Sequence, residues 1–411
     1  MKALVFGDFP DPMPPQPPED APRLVRHLAF TPMVLKDIPD PKPLGPDWAV
    51  IRPRLTGICG SDTKQVLMDY EHGDDSPMTA FISFPQVLGH EVVATVEEVG
   101  PDVEGVEAGD RVVLNPWLSC APRGISPLCP SCEAGDWSLC WHFHDGCLAT
   151  GIHTGNSSDA TGGFAELVPA HQQMMIPVPD GIADEVAVLG DPFAVSLHAI
   201  TRNPPPPGGK AIVYGAGALG TCATAILRAL YPTVDVATVA AWDAQATLAD
   251  ELGATVFRPE PRETLLEQLA DWSGGVLRRP WEGLPVCYPG FVDVVYDTIG
   301  APATFEIDMR VLKARGTMVQ LGLSSWARGE FTPMYFKEIR WVGSNAFGIE
   351  EVEGVRKHGI AHYLDLASSG RIDLTGMLTH TFPLEDWRAA WTTLIDQETT
   401  GAIKVAFDFR R

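Results

Sequence analysis

The sequence has no apolar run approaching the roughly 18 uninterrupted residues of a membrane-spanning helix. Its start, Met1-Lys-Ala-Leu-Val-Phe, leads into acids and prolines, with no basic stretch before a long apolar run. It therefore reads as a first strand and not as a secretory signal, and a cytoplasmic location is the default expectation. Basic residues are scarce: 30 Lys and Arg stand against 53 Asp and Glu, for a formal net charge of −23. Such a surface repels phosphate backbones and anionic bilayers, which counts against nucleic acid and membrane as partners. The acids are spread over the whole length, as on an ordinary solvated surface. No internal repeat is visible.

What is present points to two domains, because 411 residues exceed one ordinary core. Up to about residue 190 the chain is rich in Gly, Pro and short β-branched runs such as Trp48-Ala-Val-Ile-Arg and Glu91-Val-Val-Ala-Thr-Val, the pattern of an irregular, mostly antiparallel β domain. Seven prolines between Pro10 and Pro22 exclude regular helix or central strand, leaving a surface loop. After the linker signal Pro204–Pro207 the texture alternates. Strands are expected at Lys210–Tyr214, Val234–Ala241, Val292–Asp297, Gly316–Gly322 and Ile339–Ser344, and helices at Leu219–Ala229 and Ala244–Leu252. That rhythm is α/β, a doubly wound parallel sheet. A Trp-, Pro- and Gly-rich stretch from about 272 to 290 reads as a surface insertion, and helices with a last strand at Ala402–Asp408 follow residue 346.

Gly215-Ala-Gly217-Ala218-Leu219-Gly220 lies between an expected strand and an expected helix. In that context the first glycine makes the tight turn, the second lets a pyrophosphate approach the backbone, and the third lets helix and strand pack closely. The acid that binds the ribose of a dinucleotide should end the second strand, where Ala240 stands. Asp243 is the nearest carboxylate; it is either that ribose ligand or a helix N-cap before Ala244. No Arg or Lys lies between Tyr231 and Leu252 to pair a 2′-phosphate, which favours NAD without excluding NADP.

Eight cysteines in a long chain expected to be reduced are better explained by metal than by disulfides. Cys129-Pro-Ser-Cys132, with Cys140 and Cys120, offers four thiolates for a closed tetrahedral Zn²⁺ site that folds a lobe too small for its own core. Cys147, His142 and His144 are alternative members. Cys59, His90 and Asp191 each have a plain reading: a small core residue, a core histidine, and an N-cap before Pro192. Together with a dinucleotide fold, their sulfur, nitrogen and carboxylate oxygen make an open zinc site with one position free.

Taken in order, several motifs resemble those of the zinc-containing medium-chain dehydrogenase/reductase family, whose members include alcohol, polyol and threonine dehydrogenases. They are Thr56-Gly-Ile-Cys59-Gly-Ser61-Asp62, Gly89-His90-Glu91, Gly109-Asp-Arg-Val, the cysteine lobe, Gly162-Gly-Phe-Ala-Glu166, Asp191-Pro192, the Gly215 turn, Asp293-Val-Val-Tyr-Asp297-Thr-Ile-Gly300 and Gly401-Ala-Ile-Lys-Val. The resemblance implies a GroES-like catalytic domain over residues 1–193, with a structural zinc lobe at 116–147. A Rossmann domain over 194–345 follows, and the segment 346–411 completes the catalytic domain. It implies a catalytic zinc on Cys59, His90 and Asp191, with Glu91 beside it. A second zinc is implied on Cys120, Cys129, Cys132 and Cys140, and Ser61 is implied as the hydroxyl that passes the alcohol proton outward. It further implies a homodimer or homotetramer with a small alcohol or carbonyl substrate, hydride moving between it and NAD(P).

Four features depart from the family pattern. The third ligand position carries Asp191, one methylene shorter than Glu. Lys64 stands where the proton relay often ends in His. Pro122, Arg123, Gly124 and Pro127 fall in an eight-residue gap after Cys120 where the family commonly has two residues, and the ribose acid is displaced. Rival readings are a zinc-free enone or quinone reductase and a non-enzymatic zinc ribbon. Substrate-pocket candidates are the stretches around Tyr70–Pro85, Trp117, Phe143 and Phe347, and the Asp191-Pro192 pattern tilts the substrate towards secondary alcohols or polyols.

Overall fold

The structure, a computed structural model, describes the chain except residues 14–17, 19, 21, 22, 69–76, 323–328 and 411. Part of the expected Pro10–Pro22 loop, and Tyr70–Ser76 of the first pocket stretch, lie outside the described residues. The chain packs as two compact units: Met1–Asp191 with Ile360–Ser368 and Leu378–Arg411, and Pro192–Gly359 with Ser369–Met377.

The first unit is built on a mixed, mostly antiparallel sheet. Its strands run in the order Leu378–Phe382, Lys404–Asp408, Trp48–Gly57, Glu91–Val99, Arg111–Leu114, Met175–Pro177, and Val168–His171 also pairs with Trp48–Gly57. A three-stranded antiparallel sheet (Met33–Asp37, Lys2–Phe6, Gln86–Val87) lies beside it. Alternation along Glu91–Val99 and Trp48–Gly57 buries Val92, Ala94, Val96 and Ile51 in one core with Trp48 and Met174. A second core gathers Phe164, Trp391 and Phe407, whose rings meet at centroid distances of 5.0 to 5.7 Å. The last strand of the chain thus sits inside this unit, between Leu378–Phe382 and Trp48–Gly57.

The second unit is a six-stranded parallel sheet in the order Thr255–Phe257, Asp235–Val239, Lys210–Tyr214, Val292–Asp297, Leu312–Gln320, Arg340–Gly343. This is the doubly wound order whose central strands open the crevice for a dinucleotide. The strands Lys210–Tyr214, Asp235–Val239 and Val292–Asp297 are mostly apolar and almost fully buried, as strands covered on both faces are. The unit continues to Gly359, past the 345 read from sequence, because the hairpin Ile349–Val352/Val355–His358 carries Glu350. That carboxylate accepts from Thr201 at 2.9 Å and pairs with His198 at 2.5 Å. The stretch read as an insertion contains a two-stranded hairpin, Leu277–Arg278 with Val286–Cys287, and leaves Trp281 fully exposed. Among the described residues no helix is long and apolar enough to cross a membrane.

Candidate active site

Cys59 occupies the N-cap of the helix Gly60–Leu67, with extended backbone, so its thiol leaves the chain at a fixed turn. The buried Asp62 holds that turn by accepting from Cys59 N at 3.0 Å. His90 follows Gly89, whose φ of +93° suits only glycine, and a Cβ there would collide with the ring of Phe164. Gly162-Gly163-Phe164 is the brace for this turn: Gly163 N donates to Gly89 O at 2.7 Å and Phe164 N to Leu88 O at 2.9 Å. The two glycines are needed because backbone of residues 87–89 and the Thr56 side chain fill the space of their missing Cβ atoms.

These elements bring one donor atom each of Cys59, His90 and Glu91 within 4.8 Å of one another. Asp191 is not in that group. It is the second residue of the helix Gly190–Arg202 rather than an N-cap, and it is buried. Burial first, then the nearby Glu91, push its carboxyl up to about 7 against the pull of His90, and Oδ2 has no hydrogen-bond partner. Burial would depress His90, but Asp62, 3.6 Å from Nδ1, and the Cys59 sulfur outweigh it and hold the imidazole well above its ordinary value. Thiol, imidazole and buried carboxylates, with Asp191 Oδ2 buried and without a hydrogen-bond partner, fit Zn²⁺. Ser61, in the first turn of the same helix, is exposed, as is Lys64.

Three neighbours had no role assigned from sequence, although Asp62 and Lys404 stand within the Thr56–Asp62 and Gly401-Ala-Ile-Lys-Val motifs. Lys404, 2% exposed, forms an ion pair with Glu91 and donates to Ile58 O at 3.0 Å. Burial alone would lower its pKa, and Glu91 reverses that. His153 lies with its ring centroid 4.7 Å from that of His90, and burial and His90 depress it to about 3.

In the lobe, Cys120, Cys129, Cys132 and Cys140 place their sulfurs within 4.8 Å of one another, and all four are buried. Backbone N–H groups of Cys129 and His142 donate to the sulfurs of Cys120 and Cys140, each at 3.4 Å. Cys147 is exposed, His142 pairs with Asp145 and His144 with Thr150. The long gap after Cys120 is explained by Arg123. Its fully buried guanidinium donates to the carbonyls of Leu118, Asp145, Leu148, Ala149 and Gly151, knitting the lobe at 2.6 to 3.1 Å.

At the second unit's sheet, Gly215 has φ +96°, Gly217 caps the helix Ala218–Leu230 with open space at its Cβ position, and a Cβ on Gly220 would collide with Gly215 O. Each glycine thus meets the demand of its place in a pyrophosphate turn. Leu219 O is taken by the Ser196 hydroxyl at 2.9 Å. Asp243 is the first residue of the helix Asp243–Glu251 and not its N-cap, which is Trp242. Its exposed carboxylate pairs with Arg258 at 2.6 Å, while Arg258 donates to Ala241 O at 3.1 Å. A cation absent from the sequence neighbourhood is therefore supplied by the next strand. Of the aromatic pocket candidates, Phe347 is fully buried, edge-on to His358, and Trp117 meets His153 edge-on.

A GroES-like β unit carrying a thiol–imidazole–carboxylate cluster, with a separate dinucleotide fold, defines a metal-dependent dehydrogenase. Comparisons agree. Residues 45–180 match the alcohol dehydrogenase GroES-like domain, and 218–359 the zinc-binding dehydrogenase domain. The chain is 30% identical over 376 residues to (R,R)-butanediol dehydrogenase of Saccharomyces cerevisiae, covering 88% of this chain and 91% of the relative. It is 26% identical to sorbitol dehydrogenase of Halalkalibacterium halodurans, over 90% and 94% of the two chains. Among solved structures, 2R,3R-butanediol dehydrogenase of Bacillus subtilis shares the fold with a TM-score of 0.71 at 22% identity, over 99% of both chains. The chain belongs to the zinc-containing medium-chain dehydrogenase/reductase family. It is an NAD(P)-dependent oxidoreductase acting on CH–OH donors, and the zinc-free and zinc-ribbon readings give way to this one.

Proposed function

We propose that this enzyme oxidises secondary alcohols or polyols at a zinc held by Cys59 and His90, with Asp191 as third ligand. Glu91, paired with Lys404, tunes the ligands from behind. The Cys59 and His90 donors, brought together in one cluster, carry the reading, and the buried Asp191 Oδ2, without a hydrogen-bond partner where Glu91 is taken by Lys404, supports the third ligand. When bound, zinc supplies the Lewis acidity that lets an alcohol ionise near neutral pH, and the nicotinamide accepts the hydride.

The chain's own residues do the rest. Cys59 offers its sulfur from the N-cap of the helix Gly60–Leu67. Ser61, exposed two residues on, takes the alcohol proton and passes it to solvent; the exposed Lys64 offers no firm continuation of that path. Lys404 neutralises Glu91, so the ligands are not surrounded by uncompensated negative charge. The backbone of Gly215, Gly217, Ala218, Leu219 and Gly220 holds the pyrophosphate, and Asp243 the ribose of NAD, with NADP open through Arg258. Cys120, Cys129, Cys132 and Cys140 hold a structural zinc. A homodimer or homotetramer is the setting the family resemblance implies, with a cytoplasmic location the default expectation.

Cys59→Ala tests the centre. Turnover of a panel of secondary alcohols should fall by at least about 1000-fold, bound zinc should drop by one ion per chain, and cofactor fluorescence titration should stay near wild type. Full activity in that variant sinks the assignment.

A further inference from the structure

The strand end where a ribose-binding acid is expected carries no acid. Ala240 stands there, and a guanidinium from the neighbouring strand lies against its carbonyl. We propose that Arg258 is a specificity-determining residue that holds the 2′-phosphate of NADP, with Asp243 as its counter-ion when that phosphate is absent. The enzyme therefore uses NADP and NAD with comparable efficiency. The inference rests on the reading of the Gly215 turn as the pyrophosphate site.

The sheet fixes where Arg258 sits. Strands Asp235–Val239 and Thr255–Phe257 run parallel with Val239 opposite Phe257, and Ala240 N donates to Phe257 O at 2.9 Å. One residue further along each strand, Ala240 and Arg258 are neighbours. Pro259 disfavours helical backbone at Arg258, and Phe257 packs edge-on against Trp272 with ring centroids 6.3 Å apart. The side chain is held too. Its guanidinium donates to Ala240 O at 3.4 Å and Ala241 O at 3.1 Å, and pairs with Asp243 at 2.6 Å.

These three contacts differ in kind. The two backbone carbonyls keep the guanidinium at the strand end whichever cofactor arrives. The Asp243 contact joins a carboxylate 98% exposed to an arginine 45% exposed, and water screens such a pair strongly. A phosphate brings more charge and more oxygens, in a geometry that the planar fork of arginine matches. An acid in place of Ala240 would be fixed by the strand and would repel that phosphate. Asp243 instead stands on the first turn of a helix beyond the strand, so its exposed side chain can turn away. With NAD the ion pair stays closed, and the same carboxylate accepts from the ribose 2′-hydroxyl.

The test compares ADP-ribose with 2′-phospho-ADP-ribose by calorimetry on the zinc-loaded wild type, Arg258→Met and Asp243→Asn. Both fragments lack the nicotinamide, so no turnover enters, and the ratio of their affinities isolates the 2′-phosphate from general damage to the fold. In the wild type the two should bind within about tenfold of each other. Arg258→Met should move the ratio at least about 30-fold against the 2′-phosphate. Asp243→Asn, which removes the like charge, should move it about three- to tenfold the other way. The ratio of kcat/KM for NADP and NAD should follow in each protein. A wider gap in the wild type overturns the proposal, as does a ratio left unmoved by Arg258→Met or moved the same way by both variants. Failure of the pyrophosphate reading is seen separately, as Gly217→Ala binding both fragments like the wild type.

Discussion

Single residues decide how the motifs become sites. Cys59 and His90 were legible because their motifs name the donor types, but the carboxylate that closes the group with them in space is Glu91. Asp191 lies buried outside that group, with one oxygen unpartnered. Arg123 is the clearest residue-scale surprise. From sequence it belonged to an awkward gap; in the fold its guanidinium satisfies five carbonyls at no solvent exposure. Removing it strands those acceptors, and buried unsatisfied groups cost about 1–3 kcal/mol each where the lobe cannot relax. Arg123→Met should therefore lower unfolding stability by at least about 3 kcal/mol and release one zinc per chain to a chelating dye, with cofactor binding unchanged. An unaltered melting curve and zinc count would show that the lobe holds itself.

At the scale of elements, the glycine turn before the helix Ala218–Leu230 separates binding from folding. Gly217 has φ −72° and open space at its Cβ position, whereas Gly220 has Gly215 O in that position. Gly217→Ala should melt within about 0.5 kcal/mol of wild type yet bind reduced cofactor at least about tenfold more weakly, because the methyl occupies the pyrophosphate's approach. Gly220→Ala should lose both, with roughly 1–3 kcal/mol of overpacking strain. Melting curves and fluorescence titrations of the two variants check this, and normal cofactor affinity in Gly217→Ala would remove the pyrophosphate assignment. The strand–turn–helix order here was readable because all its parts are consecutive. The partner of Asp243 was not, since Arg258 arrives from the end of the neighbouring strand.

Across the whole molecule, the first unit depends on both ends of the chain. Lys404 and Ile58, joined by a hydrogen bond, are 346 residues apart, and the strand Lys404–Asp408 pairs directly with Trp48–Gly57. A chain ending at residue 377 loses two strands of that sheet, the Trp391 and Phe407 rings, and the cation paired with buried Glu91. Breaking such a buried pair alone costs about 3–5 kcal/mol. The truncated chain should bind no zinc at Cys59 and His90 and show no cooperative melting of the first unit. Native-like zinc content in it would mean that the last strands are an ornament rather than part of the centre.

Local order determined what local order can reach. The three glycines of the dinucleotide turn, the CxxC pair and the alternation of buried strands are all set by neighbours along the chain. Backbone conformation and side-chain period act over a few residues. Tertiary structure alone decided which carboxylate meets Cys59 and His90, which lysine neutralises Glu91, how Arg123 closes the lobe, and that the His153 ring packs against His90. Most of those contacts join residues far apart in sequence. They form only when burial excludes water and leaves each polar group to find the partner the fold has brought beside it.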